Sequence, residues 1–135
     1  MLTAIIDYRS GNLHSAQKAF EKITASNNLG SVVVTSDPKI ISSADRLVLP
    51  GDGAFPSCKA ELMSSEAYEA MVYGVVEKSR PFLGICVGMQ LMATKSYEYQ
   101  ETKGLDWIDG EVKKINPKDK SFKIPHMGWN TLNIE

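Results

Sequence analysis

Cysteine and histidine are scarce, two of each in 135 residues, like charges form no block, and no apolar run extends beyond a few residues. Each scarcity excludes something. Two cysteines without dense spacing, in a chain carrying Asp7 and Arg9 near its start, do not build a disulfide framework and read as reduced thiols of the cytosol. The apolar runs fall far below the roughly 20 residues that span a bilayer, and no signal peptide is visible. A soluble cytoplasmic protein is therefore expected. Fifteen basic and sixteen acidic residues leave a formal charge of -1, and the basic ones are scattered, which argues against nucleic acid. No metal and no cofactor is expected. The length fits one domain, residues 1–135.

The period of the pattern switches repeatedly along the chain. "LTAIIDY" is a short run of β-formers closed by "RSGN", which predicts a buried strand and a turn. Leu13, Ala16, Phe20 and Ile23 then recur at helical spacing, and "GSVVVTSD" returns to a β-branched run. Asp37 followed by Pro38 predicts a cap and first turn for "PKIISSA". "DRLVLPG" is a third strand. A helix is expected from about Ser65 to Lys78, buried through Tyr68, Met71, Val72, Val75 and Val76, followed by a fourth strand, "PFLGIC". Apolar strands alternating with helices predict an α/β fold, a flavodoxin-like, mostly parallel open sheet covered on both faces. Beyond residue 104, "GLDWIDGEVKKI" and "FKIPHMGWNTLNI" predict a C-terminal antiparallel β segment. No linker divides the chain.

Ligands of an open parallel sheet lie beyond the carboxyl ends of its strands, and "DYRSGN", "PGDGAF" and "GICVGMQ" arrive at that edge. Cys86 stands between Gly84 and Gly88 where strand turns to helix. G-x-C-x-G is the thiol form of a nucleophile elbow, whose tight turn leaves no room for β-carbons at the glycines. A helix opening near Val87 would set a positive dipole end beside the sulfur, which favours thiolate. The alternative is a buried structural cysteine, and Cys58, which lacks such a setting, is assigned that role. "PGDGAF" is a loop whose amides suit a developing oxyanion beside that of Val87, and is equally readable as an ordinary turn. Asn12 in "SGN" reads also as a helix cap, and Trp129 as a core aromatic. An acyl-transfer site needs both a nucleophile and donors for the tetrahedral oxygen, so elbow and loop together point further than either alone.

These residues carry a resemblance. "IIDYRSGNLHSAQKAF", "LVLPGDGAF", "PFLGICVGMQLM", "GLDWIDGEV" and "IPHMGWN" resemble, from end to end, the class I glutamine amidotransferase family, and within it the glutaminase subunit of imidazole glycerol phosphate synthase. The resemblance implies that Cys86 attacks the side-chain amide of glutamine, forms a thioester and releases ammonia. The ammonia passes to a (β/α)8 cyclase subunit, partner in a heterodimer of histidine biosynthesis. It further implies that Gln90 and Glu98 hold glutamine, Glu98 attracting the α-ammonium, and that Asp52, Gly53 and Val87 form the oxyanion region. Asn12, Pro125, His126, Met127, Gly128 and Trp129 match segments that face the cyclase.

Two departures accompany the match. Asp52 stands where the family has an apolar residue, and its carboxylate is harmless to an oxyanion only if it points outward. The family's His-x-Glu pair, general base and orienting carboxylate, has no counterpart in these residues. His14 and His126 do not occupy its position, and an incomplete domain, weak or inactive by itself, is expected. Two other readings remain: a non-catalytic cyclase-binding module, and another cysteine hydrolase on the same sheet, which leaves "PHMGWN" unexplained.

Overall fold

The computed structural model describes residues 1–119, 121–131 and 133–134. Four parallel strands form the main sheet in the order β2 (Ser31–Thr35), β1 (Leu2–Ile6), β3 (Arg46–Leu49), β4 (Phe82–Gly84). β1 and β3 are central, and their apolar residues divide by pleat between two faces. Ala4, Ile6, Leu47 and Leu49 join one core cluster with Ile41, Phe55, Leu62 and Met71, which come from the helices covering that face. Thr3, Ile5 and Val48 are buried on the other face.

The caps read from sequence are present. α1 (Leu13–Asn27) opens with Asn12, whose Oδ1 accepts the Ser15 N–H at 3.1 Å. α2 (Pro38–Ser43) opens with Asp37, which accepts the Lys39 N–H at 2.8 Å. α1 packs against β1 and β2, but Ile23 points away from that contact and is exposed.

The expected helix over 65–78 is a shorter α4 (Ala67–Val72) continued by a π-helical turn, Tyr73–Glu77. The wider turn shifts the phase of the following residues, and Val76 is consequently exposed while Met71 is buried. Before it lies α3 (Phe55–Ser64), which the sequence reading does not separate from the preceding loop. Phe55, Cys58 and Leu62 supply its buried stripe at helical spacing.

The largest difference follows Cys86. The helix there is a single turn, α5 (Val87–Gln90), so the dipole expected beside the sulfur is that of one turn only. The chain then enters β5 (Ala93–Ser96), which pairs antiparallel with β6 (Thr102–Lys103) and parallel with β7 (Ile108–Val112). Residues 104–107 explain the early stop. Leu105 donates to Leu91 O at 2.7 Å, Trp107 to Met92 O at 2.9 Å and Gly104 to Thr94 O at 2.8 Å, so tertiary partners take carbonyls that a longer helix would use. The second sheet is therefore mixed, not antiparallel. The described residues after Val112 form no strand, and those from 121 onward are exposed, Trp129 completely. This corrects both the strand expected over "FKIPHMGWNTLNI" and the core reading of Trp129. Leu132 and Glu135 lie outside the described residues. Among the described residues no helix is long and apolar enough to cross a membrane.

Candidate functional site

Register brings three chain segments to one level. Val48 pairs with both Ile5 and Leu83, and Leu49 with Gly84, so the strand ends at Ile6, Leu49 and Gly84 open onto the same edge. Cys86 lies two residues beyond β4 with φ 55° and ψ -120°, a backbone conformation that costs a non-glycine residue about 1–3 kcal/mol. Cys86 is exposed and Cys58 is buried.

Packing under the turn explains its small residues. A β-carbon on Gly88 would meet Leu49 O at 1.9 Å, so the turn lies directly on the end of β3. One on Gly51 would meet the Gly88 N–H nitrogen at 2.4 Å and Val87 Cβ at 2.9 Å. The "PGDGAF" loop and the elbow are thus in backbone contact, with Val87 buried between them and Gln90 half-buried on the same turn.

The loop is held by residues that the sequence reading passes over. The Tyr8 hydroxyl donates to Pro50 O at 2.8 Å. Ser10 Oγ lies 2.9 Å from Asp52 O, to which it donates, and accepts the Asp52 N–H at 3.2 Å. It also lies 3.3 Å from Cys58 Sγ. One hydroxyl therefore holds both polar groups of the Asp52 backbone, and in this conformation the Asp52 amide is directed to Ser10. The Asp52 side chain is exposed. Gly53 follows with φ 120°, a region open to glycine and strained for other residues.

Glu98 also reaches this loop. Its Oε2 accepts the Phe55 N–H at 2.7 Å, at the first residue of α3. The buried Ser96 sets its approach, Oγ accepting the Glu98 N–H at 3.1 Å. On the same helix Lys59 Nζ donates to Gly104 O at 3.0 Å, and burial lowers the pKa of its ammonium. The elbow that carries Cys86, Val87 and Gln90 thus touches the loop at Gly51, and Glu98 touches the chain at the other end of that loop, beyond Gly53, at Phe55.

The remaining sequence candidates lie elsewhere. Asn12 caps α1, and Pro125, His126 and Met127 line a groove of about 530 Å³ with Ile115, Phe122 and Ile124. Gly128 and Trp129 continue that segment, both exposed. His126 faces this groove, and His14 is exposed in the first turn of α1. The sequence brings Tyr8 and Ser10 to the edge within "DYRSGN" but does not show what they bond, since their partners are 42 residues away, and nothing local marks Ser96.

The glutamine amidotransferase class I family matches residues 4–133. The chain belongs to the class I glutamine amidotransferases. Among its curated relatives, the imidazole glycerol phosphate synthase subunit HisH of Ruegeria pomeroyi is 62% identical over 136 residues, covering 100% of this chain and 64% of that protein. The subunit of the same name from Cereibacter sphaeroides is 52% identical, with 100% and 64% covered. That from Bradyrhizobium diazoefficiens is 55% identical, with 99% and 63% covered. The chain thus spans a little under two thirds of the length of these relatives.

Proposed function

We propose that this chain is the nucleophile-bearing part of a glutaminase that delivers ammonia to a cyclase subunit making imidazole glycerol phosphate. The observation that carries the reading is Cys86, exposed in a left-handed backbone conformation at the edge where the Gly51–Gly53 loop meets the elbow. The names and identities of the relatives support the choice of subunit.

On this reading the Cys86 thiolate forms a bond to the side-chain carbonyl carbon of glutamine. The tetrahedral oxygen is stabilised by amides of the loop and of Val87, and collapse expels ammonia after proton transfer to its nitrogen. Water then cleaves the thioester, giving glutamate and the free thiol. Glu98 keeps Oε1 for the α-ammonium of glutamine, and Gln90 holds the substrate from the elbow helix. The Asp52 amide joins the oxyanion site only after leaving Ser10. Two conformations of this loop, biased by the partner, would make ammonia release depend on the cyclase. Asn12 and residues 125–129 face that (β/α)8 subunit in a cytoplasmic heterodimer, for which the exposure of Met127 and Trp129 is fitting.

Neither histidine is assigned as the base. A missing general base lowers the rate by a factor of about 10² to 10⁴, so the 135-residue chain is expected to release little ammonia by itself. The deciding experiment treats the chain with the chloroketone analogue of L-glutamine and maps the modified cysteine. Modification confined to Cys86, abolished in Cys86→Ala and suppressed by excess glutamine, is the expected result. Equal modification of both thiols, or no protection by glutamine, would overturn the reading. Ammonia release with the cyclase and its ligand present, compared with Cys86→Ala, then measures how much of the activity these residues contain.

A further inference from the structure

We infer that Glu98 is a positioning residue for the oxyanion loop, in addition to the substrate contact proposed for it. Three observations carry this. First, α3 has no local cap: Ala54 precedes it without a side-chain hydrogen bond, and Pro56 has no N–H to offer. Its first donor, Phe55 N–H, is met only by Glu98 Oε2, from 43 residues away. A carboxylate at this place satisfies an otherwise orphaned backbone donor and opposes the positive end of the helix.

Second, the loop has few places in which to move. Gly51 is wedged against Gly88 and Val87 at one end, and Phe55, itself buried, is fixed by Glu98 at the other. Reorientation of the Asp52 and Gly53 peptides must be absorbed between these two points. Third, Glu98 is itself fixed. Its N–H bonds to Ser96 Oγ, and Ser96 is fully buried in β5. The second sheet therefore reaches the oxyanion loop through one carboxylate, while Lys59 to Gly104 ties the next turn of α3 to the same sheet.

The consequence depends on the proposed glutaminase reading. If the α-ammonium of glutamine approaches Glu98, the group that recognises substrate is the same group that sets the end of the oxyanion loop. Substrate recognition and loop geometry then share an atom pair, without any relay between them. Loss of Glu98 should harm Cys86 chemistry even toward a carbonyl compound that has no ammonium group to recognise.

The test uses the 135-residue chain and two chloroketones, the L-glutamine analogue and chlorolevulinate, which lacks the amino group. In each, sulfur bonds to the methylene carbon and chloride leaves. Iodoacetamide measures simple access to the thiol. The expected result is that Glu98→Ala reacts with chlorolevulinate about tenfold more slowly than the unaltered chain, the effect of losing one hydrogen bond to a charged group. Glu98→Gln, whose amide oxygen still accepts the Phe55 N–H, should keep the chlorolevulinate rate and lose only the preference for the amino analogue. Iodoacetamide rates should not change. Amide hydrogen exchange at Phe55 should quicken in Glu98→Ala and not in Glu98→Gln. Should Glu98→Ala fail to fold, Glu98→Asp, which keeps the charge but shortens the reach, replaces it with the same expectation. Equal chlorolevulinate rates in the unaltered chain and in the shortened variant would overturn the inference. Failure of the glutaminase reading has a different signature, no preference for the amino analogue in the unaltered chain.

Discussion

Tyr8 is fully buried, and its hydroxyl donates to Pro50 O immediately before the Gly51–Gly53 loop. Removal from water is the main reason its phenol ionises well above the usual range. The folded state therefore holds this proton more tightly than the unfolded chain does. The resulting stability is fully present below the unfolded value of about 10 and is lost as pH rises above it. Urea unfolding should accordingly show the midpoint falling above that pH, with a shallower fall in Tyr8→Phe. At neutral pH the same variant should be less stable by about 1 kcal/mol, the worth of one hydrogen bond. An equal alkaline slope in both proteins would show that Tyr8 is not the group responsible. Legibility at this scale follows distance along the chain. The caps Asn12 and Asp37 act on residues two or three positions away, and Cys86 announces itself through adjacent glycines. Tyr8, Ser10 and Glu98 act 42 or 43 residues away, where no local pattern reaches.

The four parallel strands could be read from their apolar runs because β1 and β3 are buried on both faces and need no alternation. The second sheet could not. β5 has the sequence "ATKS", with one threonine as its only β-branched residue, and it is a strand because residues 104–107 bond to the chain entering it. An aromatic contact links the two sheets, the edge-to-face pair of Phe82 on β4 and Trp107 just before β7, with ring centroids 5.2 Å apart and planes at 81°. A double-mutant cycle with Phe82→Leu and Trp107→Leu, followed by urea unfolding, should return a coupling of about 1 kcal/mol. Additive effects would mean that this ring pair contributes nothing specific to joining the sheets.

At the scale of the whole molecule the two tryptophans are in opposite situations. Trp107 is half-buried beside Phe82, and Trp129 is fully exposed with Met127 close to it in sequence. If residues 125–129 are covered by a cyclase subunit, tryptophan emission should shift to shorter wavelength on titration with that partner, and Trp129→Phe should abolish the shift while Trp107 preserves a constant background. Binding that leaves the emission of the unaltered chain unchanged would place the interface elsewhere. The parallel sheet was readable from its strand runs and glycine turns, and the family from the resemblance of motifs such as "PFLGICVGMQLM" and "IPHMGWN". The conformation of the Gly51–Gly53 loop was not readable, because a single serine hydroxyl decides which way the Asp52 amide is directed.

The bonds that frame the site also impose an order in time. Tyr8 waits for Pro50, Ser10 for Asp52 and Phe55 for Glu98. During synthesis on a ribosome, Cys86 leaves the exit tunnel before the Glu98 carboxylate that holds Phe55. Non-local closures of this kind come late in folding. A nascent chain would thus expose Cys86 for about a second before Glu98 can reach Phe55, and the fixed form of the Gly51–Phe55 segment would be among the last features of the domain to exist.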